Sequence, residues 1–283
     1  MRIRRVICWA LLVGMVLGSA SSNEIFAAEL TYPLAVAVDP QGAIYLADRE
    51  LPGIWRINSG KRELYFEGSK KFRTPLNAVR CLAIDAQGQL LAGDSSTREV
   101  YRFDAEKKPQ PLTKGGIGIP MVMAFDKAGN LYVGDVETKR IFKQAAAGGE
   151  VTEFAKVVGP RGLAIDAEDR LWVISNGGKD QLLRFTPDGK SEVIVSGKPF
   201  NFPNQIAVDK DNNAFVADGY EKTIWKIGAD KKPVKFASGD PLSNPVGLAW
   251  QGDKLIVVDP RAKDFLYVVD AEGKLTPVPM AAN

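Results

Sequence analysis

One seven-residue segment recurs six times along the chain: Pro33-Leu-Ala-Val-Ala-Val-Asp39, Val79-Arg-Cys-Leu-Ala-Ile-Asp85, Pro120-Met-Val-Met-Ala-Phe-Asp126, Pro160-Arg-Gly-Leu-Ala-Ile-Asp166, Pro203-Asn-Gln-Ile-Ala-Val-Asp209 and Pro245-Val-Gly-Leu-Ala-Trp-Gln251. The copies begin at 33, 79, 120, 160, 203 and 245, a spacing of about forty residues. Self-similarity at that period means stacked units that cannot bury their apolar faces alone.

The local pattern decides between helical and β units. Three residues after each terminal Asp stands Gly42, Gly88, Gly129, Asp169 or Asn212, residue types that tolerate positive φ in tight hairpins. The sixth copy shortens this turn to Gln251-Gly252-Asp253-Lys254. A second apolar run follows, ending at Asp48, Asp94, Asp135, Ser175, Asp218 and Asp259. A third follows a polar loop (Ile54-Trp-Arg-Ile57 in the first unit, Ile224-Trp-Lys-Ile227 in the fifth), and a weaker fourth completes each unit. No stretch carries helical periodicity. The expectation is an all-β chain, a six-bladed β-propeller of four-stranded antiparallel blades. The shared alanines Ala37, Ala83, Ala124, Ala164, Ala207 and Ala249 are expected where inner strands crowd together near the axis. Each unit runs from inner to outer strand, so ring closure is expected through side chains between the first and last blades, with residues 23–31 as a candidate extra edge strand.

Residues 1–20 read as a signal peptide: Arg2, Arg4 and Arg5, an apolar run, then Gly18-Ser19-Ala20, with cleavage as late as residue 28 as the alternative. The expectation is export to the periplasm or the extracellular space, no membrane insertion after cleavage, and one propeller domain over 29–283. Loss of three arginines balances the 37 basic and 34 acidic side chains, so nucleic acid is not an expected partner. Loss of Cys8 leaves Cys81 alone, and stability must come from packing rather than a disulfide. The chain has no histidine, which removes imidazole as base, proton shuttle or metal ligand.

These copies resemble NHL repeats, most closely at Pro160-Arg-Gly-Leu-Ala-Ile-Asp166 and Leu131-Tyr-Val-Gly-Asp135 with the following Lys139-Arg140-Ile141. They are also similar to the regucalcin/gluconolactonase (SMP-30-like) superfamily, metal-dependent lactone hydrolases on six blades. Both resemblances imply the propeller, and the second implies a channel-mouth ring at the second residue of each copy. Here that ring is Leu34, Arg80, Met121, Arg161, Asn204 and Val246. The superfamily pattern implies a Glu at position 34 and an Asn at 161, oxygen donors suited to a hard divalent cation. Leu34 and Arg161 break that set, and only Asn204 keeps its chemical type. No cofactor is therefore expected; the alternative is a divalent cation such as Ca, with Asn204 as ligand.

No catalytic residue is assigned. Arg80, Arg161 and Asn204 are the candidate ligand-binding residues, two guanidinium groups being suited to a carboxylate or phosphate. The five aspartates ending the second strands are expected to serve structure, accepting backbone N–H groups in the loops that follow. The expected function is an exported, monomeric, non-catalytic recognition or scaffold module whose partner is a protein or a small anionic ligand. The alternative is a divergent metal-dependent lactonase with oxygen donors from Asn77, Asn176, Asn201 and Asn244.

Overall fold

The computed structural model describes residues 29–282 except 51, 52 and 72; the signal-peptide expectation falls on residues outside these. Six antiparallel sheets of four strands follow one another along the chain, each running in order from its first strand to its fourth. The first strands, among them Pro33–Val38, Val79–Ile84 and Pro160–Ile165, contact one another around a ring that closes where Pro33–Val38 meets Gly247–Gln251. The fold is the expected six-bladed all-β propeller. Among the described residues no helix is long and apolar enough to cross a membrane.

Burial falls from the middle of each blade outward. Every residue of the second strands in blades one to five is buried, which explains their unbroken apolar runs: neighbouring blades cover both faces. The fourth strands, such as Lys61–Glu67 and Thr152–Lys156, are half-buried or exposed and read weakly in sequence for that reason. At the hairpin after each first strand, Gly42, Gly88, Gly129, Asp169 and Asn212 all have positive φ, between 59° and 86°. Each of these turns is also held by its aspartate; Asp39 Oδ1 accepts the N–H groups of Gln41 and Ala43 at 3.0 and 2.8 Å.

The cores are the six seams between blades, each filled by one apolar cluster. The repeated alanine of one blade shares its seam with the bulky residue that precedes the alanine in the next. Ala37 meets Leu82, Ala83 meets Met123, Ala124 meets Leu163, Ala164 meets Ile206, Ala207 meets Leu248 and Ala249 meets Val36. Small-against-large pairing at one level around the ring lets six inner strands approach closely.

Closure runs, as expected, through side chains packed between the first and last blades, while residues 23–28 of the candidate edge strand lie outside the described residues. An edge strand not expected comes from near the C-terminus: Ala281–Ala282 pairs in parallel with Lys61 and Arg62 of the first blade's outer strand, making that sheet five-stranded. Residues 29–32 form no strand; instead Leu30 is buried in the seam between blades six and one, where Val278 and Met280 also pack. A side-chain plug at the start and a backbone clasp at the end thus secure the same seam.

Two stability measurements test this packing. Ala207→Leu should lower the unfolding free energy by about 1–3 kcal/mol through overpacking against Leu248, and an unchanged denaturation midpoint would contradict the crowded seam. Truncation after Pro277 should lower the melting temperature; an unchanged value would show that the clasp contributes nothing to closure.

Candidate functional site at the channel mouth

Loops between blades and loops joining second to third strands meet on one face, and buried carboxylates tie them together. Asp94 accepts N–H groups from Asn77 and Ala78 in the preceding blade-to-blade loop and from Ser96 in the loop that follows. Asp135, Asp218 and Asp259 are likewise shared between two loops, and Asp48 takes Thr31 and Tyr32 on one side and Glu50 on the other. The expected structural role holds, with the addition that each aspartate staples two loops rather than one.

Between these staples and the strand ladder, the first strands carry a bulge. Pro33 pairs with Asp48 but Ala35 with Ala47, which leaves Leu34 outside the register. The same slip isolates Arg80, Met121, Arg161 and Asn204. A bulged residue is released from ladder alternation and re-aimed. The sequence pattern alone gave no sign of this slip. All six ring residues, including Val246, line one cavity of about 450 Å³ at the axis.

The structure therefore brings Arg80, Arg161 and Asn204 to a single cavity. Arg80 Nε donates to Ser95 Oγ at 3.1 Å. The guanidinium of Arg161 lies over the face of Phe202, 4.9 Å from the ring centroid, and Phe202 stacks on Tyr220 at 4.6 Å with 16° between planes. This stack is a feature the sequence reading missed; Phe202 directly precedes the fifth copy and Tyr220 lies in the next loop, with no shared pattern to link them. Asn204 Nδ2 donates to Phe202 O at 3.2 Å. Among the described residues neither arginine is in an ion pair, and Arg161 donates no hydrogen bond to protein. Burial holds both guanidinium groups below the usual arginine range, with the charge of Arg49 adding to the effect at Arg80 and that of Arg80 adding to it at Arg161. The carboxylate of Asp94 offsets part of this at Arg80, and the mouth is left with two half-buried guanidinium groups and a single carboxylate near the first.

The donor set does not fit the divalent cation that the superfamily implies. Among the described residues no carboxylate lines the cavity, the side-chain oxygen donors being Asn204, Gln205 and Ser95 beside two positive charges. The nearby Asp94 is already saturated by loop N–H groups. Asn77, Asn176, Asn201 and Asn244 do not line the cavity; the amides of Asn77 and Asn201 donate to Ser69 O and Glu221 Oε1. Among the described residues no group of three or more His, Cys, Asp or Glu could hold a metal ion.

A family profile described as the SMP-30/Gluconolactonase/LRE-like region matches residues 17–199. The chain belongs to this family. No curated protein sequence gives a match. Solved structures with the same fold include a virginiamycin B lyase from Staphylococcus aureus, with 17% identity, a TM-score of 0.68, and coverage of 90% of this chain and 86% of that one. A gluconolactonase from Xanthomonas campestris has 15% identity and a TM-score of 0.70, covering 82% and 84%. A chain from a nidogen/laminin complex has 19% identity and a TM-score of 0.67, covering 77% and 84%. Enzymes and a non-enzyme share this propeller, so the fold alone does not decide activity.

Cys81 lies at the cavity wall, 3% exposed, with its Sγ 3.8 Å from Pro120 O. Burial pushes its thiol up to about 12. A thiol held protonated is a poor nucleophile. The raised value contributes stability that is fully present below the ordinary thiol range near 9 and is lost as pH climbs toward 12. In a Cys8→Ser chain at pH 8, a thiol-labelling reagent should leave Cys81 unmodified until the protein is unfolded; rapid labelling of the folded protein would contradict its burial.

Proposed function

We propose that this chain is an exported, non-catalytic member of its family, a recognition module that binds a small anionic ligand at the channel mouth through Arg80 and Arg161. The single observation that carries the reading is that two half-buried guanidinium groups, neither in an ion pair among the described residues, line the same cavity from blades two and four. An oxyanion between them would relieve their mutual repulsion and accept charge-assisted hydrogen bonds. Asn204 and Ser95 supply polar edges, and the Phe202–Tyr220 stack holds Arg161 from behind.

One chemistry found on this fold needs a residue type this chain lacks. The Staphylococcus aureus lyase is described as catalytically inactive when one histidine is replaced by alanine. This chain contains no histidine. Family membership favours a second reading, a metal-dependent lactone hydrolase, but the donor set at the mouth speaks against it.

The double variant Arg80→Met with Arg161→Met should abolish the rise in melting temperature that phosphate or acetate gives the wild-type protein. An undiminished rise would reject the anion site. Elemental analysis of the purified protein should find no stoichiometric Ca, Mn or Zn; about one bound ion per chain, together with lactone turnover lost on chelation, would establish the hydrolase instead.

A further inference from the structure

The mouth cavity has an apolar sector on blades one and six, and a second apolar strip on blade three between its two arginines. In ring order its walls are Leu34, Arg80, Met121, Arg161, Asn204 and Val246, so that the two arginines flank Met121 while Leu34 and Val246 sit side by side on blades one and six. Arg161 on blade four stands across the axis from Leu34 on blade one. Ile119 and Val136 extend the apolar surface.

An inorganic anion would answer the guanidinium groups but leave the apolar half wet. A hydroxyl-rich anion held by the arginines would turn hydroxyl groups onto Leu34 and Val246, where the side chains offer no partner and each buried hydroxyl is left unsatisfied. An aliphatic body of several carbons would instead bury its surface there, and a cavity of this volume has room for it. We infer that the ligand is an amphipathic carboxylate, its head group shared by Arg80 and Arg161 and its aliphatic body lying against Leu34 and Val246. This rests on the anion-site reading above and narrows it. It also separates the site from one for a sugar acid, which has the same head group and the opposite body.

Calorimetric titration of the full chain with phosphate, acetate, butanoate, hexanoate and gluconate tests the inference. Affinity should rise by roughly three- to fourfold for each methylene from acetate to hexanoate. Gluconate, with the same carbon count as hexanoate, should bind no better than acetate. Leu34→Asn should reduce hexanoate affinity by about tenfold and leave acetate unchanged. Val246→Thr, close to isosteric, should act in the same direction if the first variant folds poorly. Gluconate binding as tightly as hexanoate, or equal affinities for acetate and hexanoate, would overturn the inference while leaving the anion site standing. Failure of all five anions to bind would remove both.

Discussion

The geometry of the mouth depends on carboxylates that never reach the solvent. Asp94, Asp135, Asp218 and Asp259 have no exposed surface and Asp48 has 1%. Each accepts N–H groups from two loops that are far apart in sequence, which fixes the blade entry and the loop between second and third strands against one another. Charge-assisted bonds of this kind contribute about 1.5–3 kcal/mol each and leave several buried donors unanswered if the acceptor is removed. Blade four substitutes Ser175, whose Oγ donates to Val158 O at 2.9 Å; it keeps the backbone bond from Asn176 N to Gly159 O that blades one, two, three and five also make at the equivalent positions, and adds one from Gly177 N to Val158 O. With its rim held in this way, the propeller can vary one residue per blade at the mouth without disturbing the seams.

That separation explains why regular and irregular positions say different things. Alanine against a bulky neighbour is repeated at all six seams, because each inner strand faces the same crowding. The bulged residue just above is under no such demand. It points into a shared cavity, and its identity sets the field there: two cations, one amide and three apolar side chains. Family membership accounts for the scaffold, and in the proposal made above these six side chains choose what it holds.

Much of this was legible in the sequence because it follows from short-range rules. The turn positions declared themselves through Gly42, Gly88 and Gly129, and Asp169 and Asn212 occupy the same conformation. The ring residues could be aligned because the copies are in register, so Arg80, Arg161 and Asn204 could be assigned to one mouth. What escaped depends on distance. A two-residue parallel strand such as Ala281–Ala282 is below any periodic pattern, and its partners Lys61 and Arg62 lie at the other end of the chain. The bulge is invisible to alternation, since it changes where Arg161 points without changing the composition around it. The stack of Arg161, Phe202 and Tyr220 is assembled from one strand and two loops.

The central claim is that the mouth selects anions over cations, and locating ions at the mouth tests it most directly. Crystals of the protein soaked separately in bromide and in a lanthanide or manganese salt would show each ion by its anomalous scattering. The account predicts a bromide peak between Arg80 and Arg161 and no metal peak in the cavity. A metal ion bound at the mouth beside Asn204, with bromide absent, would contradict it.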